Sequence, residues 1–348
     1  MRNLLLATSV ALSCLASTVG AADLPKTELK VIGSTSNLSV WTDLEKDWYE
    51  KTIPAASKGA VKIEALPNDL AGLKGPEVLS LLQNGTIQFA SQAISYMAGD
   101  DPRFEAVDLA ALTLDVPTAR KAIDAYRPVL EKALAERFNI KLLGMAPLTA
   151  QVFWCREPVH GVADLKGKKI RVFNATLADM VKGVGGSSVT IPFVEAVPAL
   201  QRGVADCGVT GVVSGYRAKW YEVTKTLYPL NAGWSTIFWA ANMDAWKALP
   251  PQTQAFLADQ YKQMETRLGD LAIQNDGEAM NCATGTHCKT ADAGRMVFQP
   301  ISEQDQAERL RLLQNDVLPA WAKRCGKACA DEWNNTVGKA LGLKAEAK

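Results

Sequence analysis

The sequence predicts an α/β protein with two similar lobes that close on a crevice. The first observation is the stretch Asp164–Tyr216, where short strands alternate with short helices. Lys169–Phe173 reads as a strand, Asn174 as the N-cap of a helix that stops near Gly183, and Ser188–Ile191 as a second strand. Glu195–Arg202 reads as a helix stopped by Gly203, and Cys207–Thr210 as a third strand. Such alternation builds a parallel sheet. The second observation is that the pattern occurs twice. Glu77–Phe89 aligns without a gap on Glu195–Cys207, pairing Glu77 with Glu195, Leu82 with Leu200, Gln83 with Gln201 and Gly85 with Gly203. The strand-like runs Leu29–Gly33 and Val61–Leu66 precede the first copy. Two such lobes hold small ligands between them, because ligands sit at the carboxyl ends of parallel strands.

Residues 1–22 have the pattern of a secretory signal peptide. Arg2 is the positive start, Leu4–Leu15 the apolar run, and Val19-Gly20-Ala21 or Gly20-Ala21-Ala22 the small-residue cleavage site. The apolar run is too short for a stable membrane span. Ala11-Leu12-Ser13 is a poor lipid-attachment box, so Cys14 is not read as an anchor. The mature chain is expected to be exported and soluble.

In the first lobe, Ser36–Glu50 is a helix that places Trp41, Leu44 and Trp48 on its core face. Pro67-Asn68 is a turn, and Asp100-Asp101-Pro102 breaks the chain. Thr118–Phe138 is a long amphipathic helix. Ile140–Met145 and Gln151–Cys155 are strand-like and lead into the second lobe. After the central stretch, Ala218–Thr226 reads as helical and Thr236–Asn242 as a strand returning to the first lobe. Thr253–Asp276 is a long helix. Residues 277–300 read as a loop with a strand at Arg295–Gln299. Ser302-Glu303-Gln304 opens a helix running toward Lys323, and Lys344–Lys348 is a polar tail expected to be disordered. No low-complexity linker occurs, so crossing strands join the lobes. The expected division is 23–148 with 237–276 for one lobe, and 149–236 with 277–348 for the other.

Composition narrows the function. Hydrophobic residues at 48% and charged residues at 22% suit an ordinary soluble domain. Net charge is +1, and removal of Arg2 with the leader takes it to zero, which argues against a nucleic-acid partner. No G-x-S-x-G, H-E-x-x-H or Walker loop is present. Gly183-Val-Gly-Gly-Ser-Ser188 misses the dinucleotide fingerprint and ends a helix instead of following a strand. His160 and His287 are the only histidines, and neither has an evident nucleophile beside it. An enzyme, a cofactor and a resident metal are therefore not expected.

Of seven cysteines, Cys14 lies in the leader and six remain, in a chain expected to reach an oxidising compartment. Six cysteines allow fifteen pairings. Short loops favour Cys282–Cys288 and Cys325–Cys329, which leaves Cys155–Cys207. The alternative is a metal site from Cys282, His287, Cys288, Cys325 and Cys329, whose spacings fit structural zinc poorly.

One residue stands out on the central strand. Arg171 lies between Ile170 and Val172, which share a face, so Arg171 points the other way. A planar guanidinium offers a carboxylate two parallel charge-assisted hydrogen bonds, which lysine cannot match.

Asp164-Leu-Lys-Gly-Lys-Lys-Ile-Arg-Val172, Ile191-Pro-Phe-Val-Glu195, Ala199-Leu-Gln-Arg-Gly203, Asp206, Lys219-Trp-Tyr-Glu-Val223 and Asn242 together carry a resemblance. The chain resembles the DctP-type solute-binding proteins of tripartite ATP-independent periplasmic (TRAP) transporters over nearly its whole mature length. The resemblance implies a periplasmic-binding-protein-like fold of type II character, with a long helix bracing both lobes. It implies a periplasmic monomer that captures a small organic acid and delivers it to TRAP membrane permease subunits. It also makes Arg171 the residue that grips a substrate carboxylate. In the first lobe, Glu77 and the Gln83–Gly85 corner match the family's helix–Gly–strand element.

Two departures separate this chain from the family pattern. Gln151 stands where a second ligand-contacting arginine is often found. Asp206-Cys-Gly-Val-Thr210 lacks the family's asparagine. The candidate substrate-binding set is Arg171, Gln151, Thr210, Phe193, Glu77, Trp154 and Trp234. With one anion clamp, a second ligand carboxylate would be buried without a strong partner. The expected ligand is thus a monocarboxylate, a 2-oxo or 2-hydroxy acid with an apolar or aromatic tail, walled by Trp154, Trp220 and Trp234. The alternative is a C4-dicarboxylate held also by Arg156 or Arg217.

Overall fold

The structure, a computed structural model, describes residues 24–289 and 293–347. The expected signal peptide, residues 1–22, lies outside them. Among the described residues, no helix is long and apolar enough to cross a membrane.

Strands β1 (Thr27–Gly33) and β2 (Val61–Pro67) run parallel along their whole length, and β3 (Phe89–Ala93) joins the other edge of β1, also parallel. On the far side of the molecule β5 (Lys169–Val172) lies between β6 (Ser187–Thr190) and β7 (Cys207–Gly211), again parallel. Two long strands tie these blocks together. They are β4 (Ile140–Cys155) and β9 (Trp234–Asn242), antiparallel to each other, and the strand order is β2-β1-β3-β9-β4-β7-β5-β6. Short β8 (Thr226–Tyr228) pairs with β4 and with β10 (Val297–Phe298).

The two strand-like runs expected around residue 146 form one strand. β4 holds together across Pro147 because register shifts between Leu142 and Gly144, and between Pro147 and Ala150, absorb the change of direction. Its first part pairs with β9 and its last residues with β7, so β4 belongs to both lobes.

The helices cover the sheet. They are α1 (residues 39–56), α2 (Gly75–Gln83), α3 (Val116–Phe138), α4 (Ala175–Gly183), α5 (Phe193–Gln201), α6 (Val212–Arg217), α7 (Met243–Lys247), α8 (Pro251–Thr284), α9 (303–325) and α10 (327–341). Their ends follow local chemistry. Asp115 and Asn174 cap α3 and α4 by accepting from the Thr118 and Leu177 amides, at 2.7 and 2.9 Å. The internal repeat is structural. Both α2 and α5 have nine residues, Gly85 and Gly203 follow with φ of 81° and 73°, and five-residue strands β3 and β7 come next. Glycine tolerates that left-handed conformation without a Cβ penalty.

Several expectations change. Of the helix expected at Ala218–Thr226 only one turn forms, at Trp220–Glu222, and the α-helix lies earlier, as α6. Val212 and Val213 are buried there, and Gly215 fits against the Trp154 ring, where a Cβ would lie 2.5 Å away. Lys219, with φ 58°, then breaks the chain. The long helix does not stop at Asp276; α8 continues through Gly277 to Thr284 and ends at Gly285, φ 75°. The expected lobe boundary at 276–277 and the first part of the expected 277–300 loop therefore fall inside a helix. The C-terminal region is more ordered than its polarity suggests. Trp321 and Trp333 are buried 5.7 Å apart in α9 and α10, and Ala345 exchanges two hydrogen bonds with Asn334, at 2.7 and 2.9 Å.

The cysteines pair as Cys155–Cys207, Cys282–Cys288 and Cys325–Cys329. The first pair faces across the β4–β7 ladder, with Cα atoms 4.0 Å apart. These thiols are thus committed to one another and not to a metal. Among the described residues, no group of three or more His, Cys, Asp or Glu is placed to hold one.

Candidate ligand-binding site

The ends of β1, β3, β5 and β7 meet at a cleft between the lobes. It encloses about 660 Å³ of empty space, its mouth included. Its wall takes Ser34 and Thr35 from beyond β1, Gln92 from β3, Arg171 and Phe173 from β5 and beyond, and Thr210 from β7. The first residues of α2 and α5, Gly75 and Phe193, also line it. Helix N-termini present partial positive charge, so both ends favour an anion.

Arg171 dominates the site. Ile170 and Val172 are buried in the core on one face of β5, and Arg171 occupies the other, where it is only 1% exposed. Its Nε donates to the Ile191 carbonyl at 2.8 Å and its Nη1 to the Val209 carbonyl at 2.9 Å. Its Nη2 is buried and has no partner among the described residues. No carboxylate there forms an ion pair with it either. The guanidinium rests between aromatic rings, its Cζ 5.6 Å from the centroids of both Phe173 and Trp220. Burial pushes its pKa down to about 10, partly offset by Tyr96, so it remains a cation at neutral pH. A buried cation without a counter-ion is costly, and an anion in the cleft is its natural complement.

The support beneath Arg171 comes from a missing side chain. Arg171 pairs with Gly208 of β7, and a Cβ at Gly208 would lie 2.5 Å from the Trp220 ring. The bare glycine lets Trp220 lie against the strand. Phe193 stacks on Trp220 at 5.9 Å and Trp154 meets it edge-on at 6.2 Å.

Four of the seven expected site residues line the cleft: Arg171, Gln151, Thr210 and Phe193. The other three do not. Glu77 caps its own helix, accepting from the Lys74 amide at 2.9 Å. Trp154 is fully buried behind Trp220, and Trp234 packs with Val116, Ala119 and Ala272. The expected tryptophan wall is instead made by Phe173, Phe193 and Tyr96, with Leu38, Leu148 and Ile237. Neither reserve arginine lines the cleft. Arg217 pairs with Asp43 at 3.0 Å and Arg156 lies beside Gly203. Sequence reasoning did not single out Gln92, Tyr96, Ser214 or Lys74. The only signal for Gln92 was its place at the carboxyl end of a parallel strand.

Polar atoms around the cleft are left open. Gln92 Nε2, Gln151 Oε1 and Ser214 Oγ are buried without partners among the described residues. At the mouth, Lys74 of one lobe and Glu195 of the other form an ion pair of 2.7 Å.

A two-lobed α/β fold with a buried arginine in the interlobe cleft, bound to no carboxylate among the described residues, has the architecture of a solute-binding protein. The chain belongs to the bacterial extracellular solute-binding proteins, family 7 (DctP), whose family model matches residues 34–327. This is a family of solute-binding receptors of TRAP transporters, not of enzymes. Its relatives include the ectoine-binding periplasmic protein TeaA of Halomonas elongata, 27% identical over 53% of this chain and 55% of that protein. The 2,3-diketo-L-gulonate-binding periplasmic protein YiaO of Escherichia coli is 26% identical over 60% of this chain and 64% of its own length. The matched stretch thus spans less than two thirds of these curated relatives. Solved structures show the same fold over more of the chain. A TRAP periplasmic solute-binding protein from Desulfovibrio salexigens with bound orotic acid has a TM-score of 0.80, with 21% identity, over 90% of this chain and 98% of that one. A Bordetella pertussis extracytoplasmic solute receptor binding pyroglutamic acid has a TM-score of 0.79, with 23% identity, over 90% and 99%.

Proposed function

We propose that this protein is an exported, periplasmic receptor that captures a small organic monocarboxylate through Arg171 and delivers it to TRAP membrane permease subunits. The observation that carries this reading is the buried Arg171 Nη2, which lacks a partner in a cleft lined by two helix N-termini. A ligand carboxylate would accept from Nη2 and be drawn to the whole guanidinium. The other lining residues support the choice of a monoacid. Gln151 stands where a second cation would be needed, and Lys74, the other cation lining the cleft, is engaged by Glu195. Phe173, Phe193 and Ile237 suit an apolar or aromatic tail. The ligand is a 2-oxo or 2-hydroxy acid in this reading, and the protein works as a monomer.

Calorimetry with succinate, malate, pyruvate, lactate, phenylpyruvate and indole acetate tests it. Binding of monoacids is expected. Tight binding of succinate or malate with no binding of the monoacids would overturn the single-clamp reading.

A further inference from the structure

The cleft carries a second polarity besides its cation. Gln151 is 4% exposed, and its Nε2 donates to the Thr149 carbonyl at 3.0 Å. That bond fixes the orientation of the amide, because the reverse rotamer would set two oxygens against each other. Its Oε1 is left buried with no partner among the described residues. This atom can accept a hydrogen bond and cannot donate one. The other unpartnered groups differ in kind. Arg171 Nη2 and Gln92 Nε2 are donors suited to a carboxylate, and the Ser214 hydroxyl can play either part.

From these groups, and resting on the proposed carboxylate-binding role, we infer that the ligand carries a hydrogen-bond donor beside its carboxylate: the site selects a 2-hydroxy acid over the 2-oxo acid of the same skeleton. Both groups line one cleft, which puts the two demands within reach of one bound molecule. Val209, whose carbonyl holds Arg171, and Gly211, which pairs with Gln151, lie two residues apart on β7. A hydroxyl donates to Gln151 Oε1. A ketone oxygen in the same place sets acceptor against acceptor and leaves Oε1 unsatisfied. Sites built around such a hydrogen bond reject analogues that lack it.

The test compares matched pairs by calorimetry: lactate with pyruvate, 2-hydroxyisovalerate with 2-oxoisovalerate, and phenyllactate with phenylpyruvate. Within the pair that fits the cavity, the hydroxy acid is expected to bind about 10- to 100-fold tighter. Gln151→Met keeps the side-chain length and removes the acceptor, so this preference should shrink to about threefold or less while Arg171-dependent binding of both acids persists. Equal or tighter binding of the oxo acids to the unaltered protein overturns the inference and leaves the carboxylate role standing. A preference that survives Gln151→Met also overturns it. If no acid binds at all, the carboxylate role fails first and the inference falls with it.

Discussion

Arg171 is held by two backbone carbonyls and two aromatic rings, and no acidic side chain shares it among the described residues. Replacing it should therefore affect the ligand more than the fold. Arg171→Ala is expected to cost about 3–5 kcal/mol in binding, because it strands a buried carboxylate. That is a loss of about two to three or more decades in affinity. Arg171→Lys should recover only part, since an ammonium cannot reproduce the planar fork. Calorimetry with the bound acid checks both, and unchanged affinity in Arg171→Ala would remove the clamp from the mechanism. A second residue makes a separate forecast. Asp276 on α8 accepts from Thr149 Oγ1 at 2.8 Å and from the Ala150 amide at 3.4 Å, and so grips the crossing strand beside Gln151. Burial nonetheless pushes its pKa up to about 6. This lies above the unfolded value near 3.9, so between the two the folded state holds a proton that the unfolded state has lost. The contribution is therefore full below about pH 4 and is lost as pH rises through about 6. At 1.36 kcal/mol per unit it amounts to as much as about 3 kcal/mol. Asp276→Asn should flatten that part of the stability profile. Thermal melts of both proteins from pH 4 to 7 decide it, and parallel profiles would count against the assignment.

At the scale of elements, Gly208 and Trp220 show how a bare position on a strand lets a tryptophan from a one-turn helix back the Arg171 guanidinium. Gly208→Ala places a methyl group against the Trp220 ring, and the ring must move or the strand must shift. The expected result is a destabilisation of about 1–3 kcal/mol from overpacking, together with weaker binding. Indole fluorescence and a denaturant titration read both, and wild-type values for each would show that Trp220 does not support Arg171. Much of this architecture was legible beforehand. The helix–glycine–strand repeat was visible because Gly85 and Gly203 mark positions that need positive φ, and such a need leaves a fixed trace in the residues. Arg171 was visible because a cation between two buried β-branched neighbours has no ordinary reason to be there. The tryptophans were misread because aromatic side chains serve core and cavity equally well, and sequence proximity to the lobe junction cannot say which. Gln92 went unnoticed for the opposite reason: an amide in a short strand resembles any surface amide until the strand is placed beside β9. α6 and the end of α8 were misplaced because tertiary burial, of Val212 and Val213 in one case and Ala279 and Cys282 in the other, overrode local signals.

For the whole molecule, the lobes touch across the cleft through ion pairs as well as through the ligand site. Lys74 pairs with Glu195 at the mouth, and Arg217 of α6 pairs with Asp43 of α1, which also accepts from Asn275 at 3.2 Å. These pairs are partly exposed, so salt weakens them. Glu195→Gln should lower ligand affinity by less than about tenfold, mainly through faster release, with the difference fading at high salt. Stopped-flow release at two ionic strengths tests this, and a change that persists undiminished in salt would assign Glu195 another role. The covalent links yield a further expectation. Under denaturing, non-reducing conditions, the six cysteines of the described residues should take up no thiol label. Stoichiometric labelling of Cys155 or Cys207 would contradict the bond that joins β4 to β7.

The strand order also sets a timetable. A ribosome delivers the chain from its first residue to its last, but β3, at residues 89–93, finds its outer neighbour β9 only once residues 234–242 exist. Until then the newborn first lobe has a three-stranded sheet with one flank bare, and Phe89 and Ala90 have β1 on one side and no strand on the other. An unpaired sheet edge invites pairing with another chain. The last strand needed to seal the earliest lobe is made after most of the second lobe has emerged, so the two cannot mature as independent episodes. Chains truncated before residue 234 should bind holdase chaperones, and those that extend past residue 242 should not.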